Sequence, residues 1–301
     1  PELLSFEEIA RVVARFLELG VEKVRITGGE PLVRKDVVEL VALLDGLHVP
    51  ALAMTTNGVL LEAHAAGLRR AGLQQLTVSL DTLSAERFAA LTRRDQHAQV
   101  LAGLDAAAAA GFPALKLDTV LMRGVNDDEV VPLLEFAAQR GAELRFIEYM
   151  DVGGATHWRA DQVVSRAEIL SRLTAHHGVA PEPLPGRGSA PAERFRLHTG
   201  QRFGIIASTT QPFCGACDRA RLTADGQLLS CLYATAGLDL RALVRAGVDD
   251  VALRDAISSA WQQRRDRGAE ERLWLAQARG PLRTAAELQG EPHLEMHRRG
   301  G

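Results

Sequence analysis

The sequence predicts an α/β fold in which parallel strands build a partial or complete barrel, followed by a C-terminal region of different texture. Three observations carry this. From Ser5 to about Met150, short β-like runs alternate with amphipathic helical patterns over short links, and that alternation implies parallel strands joined by right-handed crossovers. Polar residues and glycines gather just after the β-like runs, where a barrel places its chemistry. After Gly153-Gly154 the alternation stops and a cysteine segment appears. A flat doubly wound sheet satisfies the same alternation, so pattern alone leaves the topology open.

The elements follow in order. Ser5 and Glu8 form a capping-box pair, each satisfying the other's free N–H at a helix start. Phe6, Ile9, Val12, Val13, Phe16 and Leu17 keep a helical period that ends at Gly20. Val24 to Ile26 is a short strand running into Thr27-Gly28-Gly29-Glu30-Pro31. Val37 to Leu44 is the next helix, and Ala51 to Met54 the strand that leads to Thr55-Thr56-Asn57-Gly58. Helix is expected over Leu60 to Ala71, strand over Gln75 to Leu80, helix over Val100 to Ala110 and strand over Leu115 to Leu121. Val130 to Gln139 is helix again and Leu144 to Ile147 strand. Residues 1–152 therefore form the barrel unit and residues 153–301 a second region. There Ile169 to His177 is a helix, a Pro/Gly-rich link spans Pro181 to Pro191, and strands are expected at Arg194 to His198 and Phe203 to Ile206. Helices over Leu238 to Arg245 and Val251 to Arg265 follow the cysteine segment. The last thirty or so residues are polar and weakly periodic.

Composition excludes some classes of function. The 301 residues are 47% hydrophobic and 24% charged with a net charge of -3, so bulk electrostatic binding of nucleic acid is not expected. No apolar run approaches a membrane span, and no signal peptide is visible. The expected compartment is the reducing cytoplasm, where an odd, clustered set of 3 cysteines suits a metal better than disulfides.

Those cysteines are Cys214 and Cys217, in a C-x2-C pair, and Cys231, returning after a segment with the look of a hairpin turning at Asp225-Gly226. Three thiolates at this spacing suit an iron–sulfur centre with one open iron. Structural zinc wants a fourth ligand, which His198, His176 or His177 would have to supply. Arg219 and Arg221 flank Ala220 just after the pair; if they alternate along a strand, they share one face beside the metal. Solvated charges on an exposed strand are the commoner fate of such residues. Lys23 and Arg25 show the same alternation, and Arg25, Lys116 and Arg145 each stand among apolar strand neighbours. Cations aimed inward from several strands call for an anion, and a polyphosphate matches the arginine fork. Gly28-Gly29 permits close backbone approach to a ligand, but the loop is neither a dinucleotide fingerprint nor a P-loop. Ser79, Asp81, Glu148 and Met150 complete the set of strand exits.

Together these strings resemble the GTP 3',8-cyclase family of radical S-adenosylmethionine (SAM) enzymes. The resemblance rests on Lys23-Val24-Arg25-Ile26-Thr27-Gly28-Gly29-Glu30-Pro31-Leu32, Thr55-Thr56-Asn57-Gly58, Val125-Asn126-Asp127, Arg145-Phe146-Ile147-Glu148-Tyr149-Met150 and Phe213-Cys214-Gly215-Ala216-Cys217-Asp218-Arg219-Ala220-Arg221-Leu222-Thr223, with a Gly300-Gly301 end. It implies a partial (β/α) radical SAM barrel with a C-terminal extension carrying a [4Fe-4S] cluster on Cys214, Cys217 and Cys231. The purine of GTP would meet that cluster's open iron, and Arg219, Ala220, Arg221, Arg25, Thr55 and Lys116 would contact GTP. Lys23 and Arg145 would help hold the triphosphate, and Gly29, Ser79 and Met150 would line the SAM site. The implied reaction converts GTP to (8S)-3',8-cyclo-7,8-dihydroguanosine 5'-triphosphate, the first step of molybdopterin biosynthesis. A 5'-deoxyadenosyl radical abstracts the ribose 3' hydrogen, and the carbon radical attacks purine C8. Cyclic pyranopterin synthase would act next, an electron donor would feed the enzyme, and a homodimer is compatible with the family. The family's C-x3-C-x2-C motif for a second [4Fe-4S] cluster would fall before Pro1. The sequence is therefore expected to be truncated rather than degenerate, and these 301 residues alone to be catalytically inactive.

Overall fold

A computed structural model describes residues 2–152, 154–275 and 280–290; the Gly300-Gly301 end lies outside them. The chain starts with α1 (Phe6–Glu18), and the capping box forms as expected. Ser5 Oγ accepts the Glu8 N–H at 3.1 Å and Glu8 Oε2 accepts the Ser5 N–H at 2.8 Å. Then follow β1 (Lys23–Ile26), α2 (Val37–Gly46), β2 (Ala51–Thr56), α3 (Leu61–Arg70) and β3 (Gln75–Ser79). Next come α4 (Ala85–Thr92), α5 (His97–Ala110), β4 (Ala114–Leu121), α6 (Val130–Gln139) and β5 (Glu143–Glu148). Helix α4 has no counterpart in the sequence reading. It is short, is capped by Ser84 accepting the Arg87 N–H, and buries one large side chain, Phe88.

The later half adds α7 (Arg166–His177), β6 (Glu182–Pro183), β7 (Glu193–Arg196), β8 (Arg202–Ile206), β9 (Arg221–Leu222), β10 (Gln227–Leu229) and β11 (Leu238–Asp239). Helices α8 (Leu240–Arg245), α9 (Asp250–Gln262), α10 (Gly268–Leu273) and α11 (Ala285–Gly290) end the described chain. The main sheet runs β1-β2-β3-β4-β5-β8-β7-β6, parallel from β1 through β8 and antiparallel over the last two pairings. Strand β8, from beyond residue 152, thus takes the place beside β5. This is the partial barrel, open at β1 and β6. The small sheet β11-β10-β9 contains the expected hairpin, with Gly226 at φ +91° in its turn.

The two faces of the main sheet differ in chemistry. In β4, Leu115, Leu117, Thr119 and Leu121 are buried while Lys116 and Asp118 alternate with them; in β5, Leu144 and Phe146 are buried and Glu143 and Arg145 lie on the opposite face. The period of 2 sends the apolar set outward onto helices α2, α3, α5 and α6, and leaves the polar set lining the concave side.

Neighbouring residues of α1 serve two cores. Val13 joins the main core, whereas Val12 packs with Leu228, Leu240, Val244, Leu253 and Ile257 of the C-terminal region. Arg11 and Arg15 both pair with Asp250, and Arg245 pairs with Glu8 at 2.9 Å. These pairs are partly exposed and so contribute little each. The shared apolar seam supplies most of the attachment, and they fix its register.

Gly58, at the exit of β2, has φ +81°, and a Cβ there would stand 2.9 Å from Val78 Cγ1 and 3.1 Å from Val100 Cγ1. Gly58→Ala is expected to destabilise the fold by about 1–3 kcal/mol, through left-handed strain and crowding together. Denaturant unfolding monitored by circular dichroism measures it, and a wild-type midpoint would contradict this account.

Candidate active site

The concave face brings four cations together. The register places Lys23 and Arg25 on β1, Thr55 on β2 and Gln75 and Thr77 on β3. It continues with Lys116 and Asp118 on β4, and Glu143 and Arg145 on β5. Arg25 Nη1 donates to Thr55 Oγ1 at 2.7 Å and to Thr77 Oγ1 at 3.1 Å. Lys23 Nζ donates to Gln75 Oε1 at 2.6 Å, and Lys116 Nζ reaches the same oxygen at 3.5 Å. Glu143 lies 3.5 Å from Arg145 and is held at 2.6 Å by Arg194 on β7.

The charges on this face do not balance. Burial, then the positive field of Arg25 and Arg145, brings the Lys23 ammonium down to about 8. Burial, then Arg145, Lys23 and Arg25, does the same to Lys116, also to about 8. Arg25 is lowered by burial despite the attraction of Asp118. Burial pushes the Asp118 carboxyl up against the pull of Arg145, Arg25 and Lys116. Two polar atoms here are buried with no hydrogen-bond partner: Asp118 Oδ1 and Arg145 Nε. A buried polar group without a partner costs roughly 1–3 kcal/mol. An arriving polyanion can accept from Arg145 Nε and offset the excess positive charge, a form of preorganisation, while Asp118 Oδ1 needs a donor instead. Gln75, Thr77, Asp118 and Glu143 were not singled out from sequence. Their register opposite the cations was the signal, and it needs the strand order.

A second feature lies at the exits of β1, β2 and β3. A small recess of about 70 Å³ is lined by Thr27, Gly28, Gly29, Glu30, Thr55, Thr56, Asn57 and Ser79. It is far below the ~300–1,000 Å³ of a pocket for a whole drug-sized ligand, so it suits one end of a larger molecule. Glu30 ties its walls together. Its carboxylate accepts from Thr56 Oγ1 at 2.7 Å, the Asn57 N–H at 2.7 Å and the Leu32 N–H at 3.0 Å. Gly29 and Ser79 both line the recess, whereas Met150 does not; it lies beyond the end of β5, next to Asp151. Glu148, at that same exit, accepts N–H bonds from Arg166, Thr209 and Thr210, and so fastens the loops after β5 and β8.

The cysteine segment is moored to the exit of β5. Buried Asp151 accepts from Arg272 Nε at 2.7 Å and from the Tyr233 hydroxyl at 3.3 Å, two residues past Cys231. All three cysteines are free thiols. A 3₁₀ turn over Cys214–Ala216 carries the first, with the Cys217 N–H donating to the Cys214 carbonyl at 3.1 Å. Burial raises the Cys214 thiol. Burial acts on Cys217 too, but the Arg219 N–H and the Arg264 guanidinium outweigh it and hold that thiol below its usual value. Arg219 Nη2 donates to Cys217 Sγ at 3.1 Å, and the guanidinium lies 5.0 Å over Phe213.

Two expectations are corrected here. Arg219 and Arg221 do not alternate along one strand: only Arg221 is in β9, and Arg219 is turned back onto Cys217 and Phe213. His176, His177 and His198 do not complete a zinc site with the cysteines. They meet one another edge to face, with ring centroids 4.8 and 5.4 Å apart, and His198 precedes β8 while Cys214 follows it. Among the described residues no three Cys, His, Asp or Glu side chains come close enough to hold a single ion. A [4Fe-4S] cluster asks for something else. Each of its thiolates binds a different iron, so the sulfurs stand further apart than around one ion. Three free thiols under arginines and backbone donors fit that anionic group.

Comparison with known proteins agrees over the whole length. The Radical SAM superfamily model matches residues 1–137, and the Molybdenum Cofactor Synthesis C model residues 142–270. The chain is 52% identical to GTP 3',8-cyclase 1 of Mycobacterium tuberculosis, over 100% of this chain and 84% of that protein. It is 50% identical to the GTP 3',8-cyclase of Acidothermus cellulolyticus, over 90% of this chain and 76% of that protein. The chain belongs to the GTP 3',8-cyclase family. These are radical SAM enzymes of molybdenum cofactor biosynthesis. In fold it is similar to Streptococcus suis SuiB in its S-adenosylmethionine-bound crystal structure. That likeness has a TM-score of 0.56 at 12% identity and covers 77% of this chain and 53% of that one; it bears on the fold alone. No helix among the described residues is long and apolar enough to cross a membrane.

Two predictions follow from the charge imbalance. Lys23 and Lys116 lose protons near pH 8 in the free protein, and an anion beside them restores their affinity for protons. Binding of GTP at pH 8.5 is therefore expected to take up protons, read by calorimetry in two buffers of different ionisation enthalpy; equal heats would place the triphosphate elsewhere. Lys116→Met removes a like charge from the free face. It is expected to raise apo stability by on the order of 1 kcal/mol, a Tm gain of about 2 °C, while weakening GTP binding at least tenfold. Lower stability with unchanged GTP affinity would oppose both parts.

Proposed function

We propose that this chain serves the conversion of GTP to (8S)-3',8-cyclo-7,8-dihydroguanosine 5'-triphosphate together with a second [4Fe-4S] cluster that its 3 cysteines do not hold, with GTP lying between the cation face and the cysteine segment. The observation that carries the reading is the gathering of Lys23, Arg25, Lys116 and Arg145 on adjacent strands. Asp118 and Glu143 face them, and Arg145 Nε has no partner. The two arginines supply fork-shaped donors for phosphate oxygens, and the lysines supply compact charge. Thr55 and Thr77 fix the Arg25 guanidinium, so little ordering entropy is left to lose on binding. Cys214, Cys217 and Cys231 would hold a [4Fe-4S] cluster, with Arg219, Ala220 and Arg221 against the nucleotide. Gly29, Ser79 and Met150 would contact S-adenosylmethionine, whose amino-acid end suits the recess beside Glu30.

Cys214, Cys217 and Cys231 would hold a cluster offering an open iron to the purine, and one electron delivered through the second cluster would cleave the S–C5' bond of S-adenosylmethionine to methionine and the 5'-deoxyadenosyl radical. The protein's part is placement: a carbon radical reaches C8 of its own purine only if triphosphate and base are both held. The cation face does the first and the cysteine segment the second, with the Asp151–Tyr233 contact joining the two. We assign residues 1–152 to the first five strands of the barrel and 153–301 to the region that carries the cysteines and adds β8, β7 and β6 to the barrel sheet, and place the chain in the cytoplasm, where its free thiols persist. Cyclic pyranopterin synthase would consume the product, and a low-potential electron donor would serve the reaction.

Anaerobic reconstitution with iron and sulfide, with iron counting and GTP titration, tests this. Wild type is expected to gain about four irons on the trio, and Cys214→Ala to lose them together with GTP affinity. Zinc in their place, or GTP binding indifferent to Cys214, would reduce the cysteine segment to a structural role.

A further inference from the structure

The segment Arg264–Glu270 runs from the end of α9 into α10 and touches every loop that carries a cysteine. Arg264 Nη1 donates to the Cys217 carbonyl at 2.6 Å, and its guanidinium lies 4.8 Å over Trp261. Asp266 Oδ2 accepts from Ser230 Oγ at 2.5 Å, one residue before Cys231. Gly268 lies so close to Tyr233 that an added Cβ would stand 2.5 Å from the Tyr233 Cβ. Helix α10 packs on the Cys214–Ala216 turn, with Arg267 Nη2 lying 3.7 Å from where a Cβ on Gly215 would stand and the Glu270 carboxylate in the field of the Cys214 thiol. Arg267 holds that carboxylate at 2.5 Å.

None of the cysteine loops can set its own geometry. Cys214 lies in a single 3₁₀ turn, Cys217 just after it, and Cys231 beyond the end of a three-residue strand. The lone hairpin between them fixes neither end. One external segment nevertheless touches all three loops, at the Cys217 carbonyl, at the Ser230 hydroxyl beside Cys231 and on the turn that carries Cys214.

We propose that Arg264–Glu270 is a clamp that holds the three cysteines in the spacing a [4Fe-4S] cluster requires, with Arg264 and Glu270 as positioning residues. The inference rests on the cluster reading given above and deepens it. Positive charge beside a cysteine ligand stabilises the reduced, more negative cluster, so Arg264 at the Cys217 carbonyl sets redox potential as well as spacing. Arg264 provides charge and direction at once, and Glu270 ties down the turn that presents Cys214.

The test uses the anaerobically reconstituted chain and its Arg264→Gln, Arg264→Lys and Glu270→Gln variants, with circular dichroism to confirm folding. Iron count, the rate of iron release to a chelator, the midpoint potential and the electron paramagnetic resonance spectrum of the reduced cluster are compared. Arg264→Gln is expected to release iron about 10-fold faster and to shift the potential negative, and Arg264→Lys to recover part of the potential. Glu270→Gln should speed release with less effect on potential, because it grips the loop rather than a sulfur. A wild-type chain that binds no iron would overturn the cluster reading itself. A loaded wild type with folded variants matching it in release and potential would overturn the clamp alone. Should Arg264→Gln not fold, Glu270→Gln decides between these outcomes, since its side chain is 22% exposed and joins no apolar core.

Discussion

Like charges held side by side are the constraint on which this structure depends. Arg25, Lys116 and Arg145 occupy interior strand positions, and Lys23 stands at the edge of the same face, within reach of their fields. In water such a group would disperse. Here the backbone ladder fixes the spacing of the strands, and the helices outside supply the apolar burial that offsets the repulsion. Asp118 and Glu143 temper the field without cancelling it. The face thereby carries excess positive charge at fixed spacing, a cost that its surroundings offset.

The remaining architecture can be read as support for that face. Glu30 draws the exit loops of β1 and β2 together through three hydrogen bonds. Glu148 does the same for the loops after β5 and β8. Both are carboxylates at strand exits, where reactive groups are also found. Yet each has its oxygens committed to backbone N–H and threonine donors, so each serves as a fastening. Asp151 extends the pattern to the C-terminal region by accepting from both Tyr233 and Arg272. Helix α1 then closes the arrangement from behind, with Val13 in one core and Val12 in the other. Barrel and cysteine region are therefore coupled at two separate places, one at the strand exits and one along α1.

The protein divides the work by residue type. Arginine recurs wherever planar donation is needed: toward threonine hydroxyls on the cation face, toward thiol and carbonyl at Cys217, and over aromatic rings at Phe213 and Trp261. Lys23 and Lys116 stand on the cation face, where a compact charge with an adjustable proton would suit a polyanion, while Lys35 is exposed beside Asp36. A nucleotide held at its triphosphate by one region and at its base by the other would have little freedom between them, which an intramolecular ring closure requires.

Much of this was legible in the sequence. The alternation of β-like and helical runs determined the parallel sheet, because a strand's period of 2 and a helix's period of 3.6 cannot be confused over such lengths. The strings at Gly28-Gly29-Glu30-Pro31, Thr55-Thr56-Asn57-Gly58 and Cys214 to Arg221 pointed to the family, and inward cations could be suspected from Arg25 and Lys116 among apolar neighbours. Only the tertiary structure decided what stands opposite them. Gln75, Thr77, Asp118 and Glu143 look ordinary along the chain, and they become partners of Lys23, Arg25 and Arg145 through the order β1-β2-β3-β4-β5. The same holds for β8 beside β5, for Arg219 folding back onto Phe213, and for Arg264 reaching Cys217 across 47 residues. Local periodicity is written in consecutive residues, whereas cross-strand and loop-to-helix contacts depend on which segments the collapsed core brings together.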